Sequence, residues 1–136
     1  MLIIDADQWD RQRRIKGWNQ QAVEQSRCAV LGAGALGNEV VKNLVQLGVR
    51  EISIVDYDKV VPANLNRCVF FSHIDAESGA LKASVLAREV KRINPSAIVT
   101  PILKKVEELD EKFFSKFNFV FSCLDNLGAR LHANSH

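Results

Sequence analysis

With 136 residues the chain is sized for one domain with a real core, and its 47% hydrophobic and 25% charged residues are ordinary for a globular protein. A net charge of +2 lends no support to a nucleic-acid surface or an acidic tail, and no apolar stretch approaches the roughly 20 residues that span a bilayer. No nucleic-acid or membrane partner is therefore expected.

The start, Met1-Leu2-Ile3-Ile4-Asp5-Ala6-Asp7, lacks the basic flank and long apolar core of a signal peptide, so a cytoplasmic protein is expected. Residues 1–25 are expected to form an N-terminal helical segment, with Trp9, Ile15, Trp18 and Ala22 as its apolar points and an interruption near Gly17. Residues 26–136 are expected to form one nucleotide-binding domain. Within it, residues 28–31 read as a first strand. Leu36, Val40, Leu44 and Leu47, spaced 4, 4 and 3, predict a helix with one buried stripe that ends at Gly48. Residues 52–55 read as a second strand, and residues 58–73 as a long loop, a length that usually carries function.

Leu81, Val85, Leu86, Val90 and Ile93 define a second amphipathic helix, stopped at Asn94-Pro95. A third strand over 98–103, edged by Pro101, is followed by one modest helix within 107–117. Residues 119–122 are a fourth strand, and a further helix begins at Asn126. This alternation predicts an α/β fold: a doubly wound, Rossmann-like, mostly parallel sheet with right-handed crossovers. Four strands leave the sheet incomplete on its C-terminal side, and a fragment of a longer protein is expected.

The chemistry concentrates at the ends of these strands. Gly32-Ala33-Gly34-Ala35-Leu36-Gly37 follows the first strand and opens the first long helix. Such glycines allow a tight turn and close approach of a phosphate, which the helix N-terminus favours. Asp56 ends the second strand, 19 residues after Gly37, where a carboxylate can accept from a ribose. A turn former after a strand is the plainer role for it. The next loop and helix add Asn64, Arg67 and Lys82, two cations and a neutral donor suited to a triphosphate. Asp125 ends the fourth strand, where it serves either as a magnesium ligand or as a helix N-cap.

The three cysteines form no C-x-x-C pair, so reduced thiols are expected and neither a zinc site nor a disulfide framework. Cys28 and Cys123 read as core wall, and Cys68 as a loop residue open to solvent. His73, His132 and His136 show no ligand spacing and read as ordinary surface residues.

Seven short motifs then stand in one order. They are Asp10-Arg11-Gln12-x-Arg14, the glycine-rich turn, Asp56-Tyr57-Asp58, Asn64-Leu65-Asn66-Arg67, Gly79-x-x-Lys82-Ala83, Ile93-Asn94-Pro95 and Cys123-Leu124-Asp125-Asn126. The set resembles the adenylation domain of the ubiquitin-activating-enzyme superfamily, which includes activating enzymes of sulfur-carrier proteins.

The resemblance implies an adenylyltransferase. It would use ATP and Mg²⁺ to adenylate the C-terminal carboxylate of a ubiquitin-like or sulfur-carrier protein, working as a homo- or heterodimer. By the same resemblance Gly32, Gly34 and Gly37 would hold the phosphates and Asp56 the ribose. Asn64, Arg67 and Lys82 would contact the phosphates, Asp125 would bind Mg²⁺, and Arg11 would reach into the partner subunit's site. Asp58 and Arg14 match the pattern as well. Cys68 stands where the family often has glutamine, and no cysteine matches its thioester cysteine. The alternatives are a non-catalytic partner subunit of such an enzyme and an NAD-dependent oxidoreductase domain.

Overall fold

The computed structural model describes residues 5–136. Residues 1–4, which bear on the signal-peptide expectation and open the 1–25 segment, lie outside the described residues.

The N-terminal segment forms two short helices, α1 (Asp10–Arg13) and α2 (Gln20–Gln25), the second capped by Asn19, whose Oδ1 accepts from the Ala22 N–H at 3.0 Å. Four strands follow: β1 (Arg27–Leu31), β2 (Glu51–Val55), β3 (Ile98–Ile102) and β4 (Phe119–Ser122). All pair in parallel, in the order β3-β2-β1-β4. Leu31 stands opposite Val55 on one side and Ser122 on the other, so the strands end together beside one crevice. The chain winds outward from β1 to β3 and returns to β4 across β1, which makes the β1–β4 seam the topological switch point.

Both faces of the inner strands are buried, as their nearly unbroken apolar sequences require. One face carries Cys28, Val30, Ile52 and Ile54 under α3 (Ala35–Leu47) and α5 (Lys82–Ile93). The other carries Leu31 and Val55 under a 3₁₀ turn at Val106–Glu108, α6 (Glu111–Phe114) and α7 (Leu127–Asn134). Each fully buried Val, Leu or Ile contributes about 1.5–3 kcal/mol.

Three sequence expectations change. The buried stripe of α3 is Val41, Leu44 and Val45, whereas Leu36 and Leu47 are exposed, because Gly37 must face inward. The 58–73 segment is not a plain loop: it holds a 3₁₀ turn at Pro62–Asn64 and reaches α4 (His73–Glu77), which begins at its end. The 107–117 stretch splits into the Val106–Glu108 turn and α6, because Asp110 caps a fresh helix by accepting from the Phe113 N–H.

At the outer edge of β3, the Ile98 N–H donates to Arg50 O and the Ile102 carbonyl accepts from the Asp56 N–H. Backbone groups alternate sides along a strand, so Pro101 turns its donorless nitrogen to the free edge. At the far end of α3 the carbonyls left open by helix termination find side-chain donors. Trp9 Nε1 donates to Gln46 O at 3.1 Å, and Gln12 and Gln20 donate to Leu47 O at 2.9 and 3.0 Å.

Asp75, on α4, is the buried carboxylate of the fold. Arg88 on α5 donates to both of its oxygens at 3.0 and 3.1 Å, and Ser72 adds its hydroxyl and N–H. The Arg88 guanidinium, with Ser72, holds the Asp75 carboxyl down at about 2. Stability from this pair is thus present above the ordinary carboxylate range and lost as the pH falls from about 4 to 2. Arg88→Ala should lower the unfolding free energy at pH 7 by about 1–2 kcal/mol, and urea melts should show a flatter acid limb than wild type.

Candidate nucleotide site at the switch point

The crevice at the carboxyl ends of the strands is a cavity of about 630 Å³. Of the positions singled out in the sequence, Gly32, Gly34, Asp56, Asp58, Asn64, Arg67, Lys82 and Asp125 all line it. Gly37, Arg11 and Arg14 do not. Arg11 is 85% exposed and pairs with Asp5 at 3.1 Å, and Arg14 pairs with Asp10.

The three glycines of the turn have different reasons to be glycine. A Cβ on Gly37 would lie 2.0 Å from the Gly32 carbonyl oxygen, so the start of α3 rests backbone-on-backbone against the end of β1. Gly32 has φ +99°, and a Cβ there would meet the Cys123 carbonyl at 2.6 Å. Gly34 is free of both constraints: a Cβ would have no protein atom within 4 Å. It is the N-cap of α3 and has no side chain to cap it, so the first-turn N–H groups stay open toward the cavity. The protein's own packing explains two glycines and not the third.

Asp56 ties this turn to the loop after β2. One oxygen accepts from the Ala33 N–H and the other from the Asp58 N–H, both at 2.8 Å. Burial pushes its carboxyl above the usual range, opposed by those two N–H donors and by Lys82. The turn-former role therefore holds, and each oxygen keeps a lone pair for a hydroxyl donor.

Lys82 opens α5. Its N–H donates to Asp58 O at 2.9 Å, its Nζ lies 3.6 Å from Asp58 Oδ2, and its side chain is 13% exposed. Asn64 is buried with Oδ1 accepting from the Val61 N–H at 3.0 Å, which leaves its amide nitrogen without a partner among the described residues. Arg67 is exposed and braced by Ala63 O at 2.8 Å and Asn66 Oδ1 at 2.9 Å.

The helix-cap alternative for Asp125 falls to its neighbour: Asn126 Oδ1 accepts from the Ala129 N–H at 2.7 Å and caps α7. Asp125 is exposed and makes no hydrogen bond or ion pair among the described residues.

Sequence reasoning missed the far side of the cavity. Lys104, Lys105, Val106, Glu107 and Arg130 line it, beside Tyr57 and Leu124 of the motifs. Lys105 Nζ sits 5.5 Å over the Tyr57 ring, and Arg130 Nε donates to Leu124 O at 2.6 Å. The signal available was position alone, since the Lys104-Lys105 pair follows β3 after one residue, Leu103, much as Asp56 follows β2. Asn38, fully buried beneath the turn, was missed too.

Cys68 corrects an expectation. It is 2% exposed rather than open, because its N–H bonds back to Asn64 O and turns the side chain inward. Burial pushes its thiol up, and Cys28 likewise to about 11, with Cys123 also raised, which disfavours the thiolate at each. His132 is half-buried, its Nε2 3.0 Å from Leu109 O, and so departs from the surface expectation, whereas His73 and His136 are exposed, the latter stacked on Phe114. No group of three His, Cys, Asp or Glu among the described residues could hold a metal. No helix among them is long and apolar enough to cross a membrane.

A model of the ThiF family matches residues 9–136. The Nedd8-activating enzyme E1 catalytic subunit of Drosophila melanogaster is 38% identical over 112 residues, covering 81% of this chain and 24% of that protein. The SUMO-activating enzyme subunit 2 of Dictyostelium discoideum is 35% identical over 116 residues, with 82% and 17% covered. The chain thus spans about a quarter or less of these curated relatives. Among solved structures, E. coli tRNA N6-threonylcarbamoyladenosine dehydratase, TcdA, superimposes with a TM-score of 0.85 over 99% of this chain and 58% of that one, at 22% identity. The two share a Rossmann-like fold. The same protein in complex with ATP gives a TM-score of 0.76 at 25% identity, with 92% and 54% covered.

The glycine assignment has a direct consequence for stability. Gly34→Ala should melt within about 2 °C of wild type, whereas Gly37→Ala should lose several kcal/mol or fail to fold, as followed by circular dichroism.

Proposed function

This chain belongs to the ThiF family, and from that premise we propose that it forms the ATP-binding portion of an enzyme that adenylates a protein's C-terminal carboxylate. The acceptor fitting its curated relatives is a ubiquitin-like protein, or a sulfur carrier of the same shape. The observation that carries this reading is the unblocked face of Gly34, set in one cavity with Asn64, Arg67, Lys82 and Asp125.

The reaction proposed is attack of a carboxylate oxygen on the α-phosphorus of ATP. The new O–P bond forms as the bond to the β-phosphate bridging oxygen breaks, giving an acyl-adenylate and pyrophosphate. A carboxylate is already ionised at pH 7 and needs no general base. The barrier lies in bringing anions together and in stabilising charge on the departing pyrophosphate. The N–H groups at the start of α3, Arg67, Lys82 and the Asn64 amide would bear on that charge. Asp56 would accept from the ribose, with Asp58 holding Lys82 in place. Tyr57, Val106, Leu124 and Ala129 would enclose the base at the apolar end.

Magnesium would neutralise phosphate charge. A lone carboxylate such as Asp125 suits it, since Mg²⁺ usually takes one or two protein carboxylates and completes its shell with phosphates and water. Arg11, exposed on α1, would act across a dimer on the partner subunit's nucleotide. This cytoplasmic, dimeric arrangement is part of the same proposal.

ATP–pyrophosphate exchange tests it, using ubiquitin-like proteins with a free C-terminal carboxylate against the same proteins amidated there. Exchange should require the free carboxylate, and Arg67→Ala and Asp125→Ala should each lower it by about 10²-fold or more. Gly34→Ala should weaken ATP binding at unchanged melting temperature. NAD binding in preference to ATP, or exchange indifferent to the carboxylate, overturns the assignment.

A further inference from the structure

Asn38 is a polar side chain with no exposure at all, one turn into α3. A buried amide in a helix interior is costly unless every part of it is used. Here it is. Its Nδ2 donates to two successive carbonyls of the glycine-rich turn, Ala33 O at 3.1 Å and Gly34 O at 2.9 Å. Its Oδ1 accepts from the Phe70 N–H at 3.0 Å, 32 residues away and three residues past Arg67.

Two consequences follow from peptide geometry. The described backbone has no cis peptide, so in each unit the C=O and the next N–H point in opposite directions. Holding the Ala33 carbonyl against the Asn38 side chain turns the Gly34 N–H away from it, and the Gly34 carbonyl, which accepts from both the side chain and the backbone N–H of Asn38 at 2.9 Å, does the same for the Ala35 N–H. Gly34 and Ala35 both line the cavity, and neither N–H has a partner among the described residues. The Ala33 N–H, by contrast, is committed to Asp56, so residue Ala33 is held through both its N–H and its C=O. The third bond fastens the segment after Arg67 to the same amide. That exposed arginine is braced by Ala63 and Asn66 and by its own N–H on Asn64 O, and among the described residues no other hydrogen bond joins its segment to the turn.

We propose that Asn38 is a positioning residue. It aims the Gly34 and Ala35 N–H groups at the nucleotide phosphates and sets the Arg67 segment in register with them. This rests on the ATP-site reading above. Lys82 provides the internal control, because it is anchored on α5 through Asp58 and not through Asn38.

The test is a pair of double-mutant cycles on ATP binding by the full chain, measured calorimetrically well below the melting temperature. Asn38→Ala should weaken ATP binding by about tenfold or more. Arg67→Ala should cost less than half as many fold in that background as in wild type, while Lys82→Ala costs the same in both. A purely structural role would lower the melting temperature but leave both arms of the cycle additive, and additivity at Arg67 overturns the proposal. Should Asn38→Ala fail to fold, amide exchange in the unmodified protein decides. With ATP at 100 times its Kd, the Phe70 amide should exchange about tenfold more slowly or better, together with Gly34 and Ala35. Protection of Gly34 and Ala35 with Phe70 unchanged overturns it. Absence of ATP binding to the unmodified chain is a different result: it sinks the nucleotide site itself, and this inference with it.

Discussion

The contact on which the molecule depends is between two pieces of backbone. Gly37, in the first turn of α3, rests on the carbonyl of Gly32 at the end of β1, with no room for a side chain between them. That contact sets the rotation of α3 about its own axis. It brings Val41, Leu44 and Val45 onto the sheet and leaves Leu36 and Leu47 outside. It also aims the helix N-terminus at the seam between β1 and β4, where the strands end together. The far end of α3 is held as firmly by Trp9, Gln12 and Gln20 on its last carbonyls. Gly48, just beyond, has Gln20 and Trp9 where its side chain would be. The helix is thus located by contacts at both ends as well as by its apolar stripe.

Around this fixed element the site divides into rigid and adaptable parts. The turn and Asp56 are held by 2.8 Å bonds between side chain and backbone, and Lys82 is joined to Asp58 by a 2.9 Å backbone bond. Arg67 and Asp125 stand in solvent at the rim. A site of this kind presents fixed N–H dipoles at its floor and exposed charges at its mouth. That division suits a polyanion, which needs orientation at one end and neutralisation along its length.

Much of this could be read from the chain before any coordinates. The alternation of short apolar runs with helical periods identifies the parallel sheet, because strands buried on both faces have almost no polar residues. The end of each strand then locates the crevice residue by residue, as with Asp56 and Asp125. What the sequence hides is rotation and capping. The period of α3 was visible, but its phase depends on a contact to Gly32 that no local pattern encodes. Asn38 carries no local signal in the sequence, since its partners lie in the turn and at Phe70. Cys68 was hidden by a turn closed on Asn64. The Lys104-Lys105 pair was legible only by analogy with the other strand ends, because a surface lysine carries no signature of its own.

The two margins of the sheet differ in a way that follows from one residue. On β3 the outward backbone position at Pro101 has nothing to donate, and Val99 alone offers a free N–H there. On β4 the sequence Phe-Val-Phe-Ser has neither proline nor charge, and Phe119 and Val120 stand exposed. Pairing of another strand is therefore chemically discouraged at one margin and permitted at the other. The sheet has a growing side and a closed side, independent of the direction in which its strands run. Enlargement of such a scaffold is a vector, and it points away from β3, past the β1–β4 seam that carries the site.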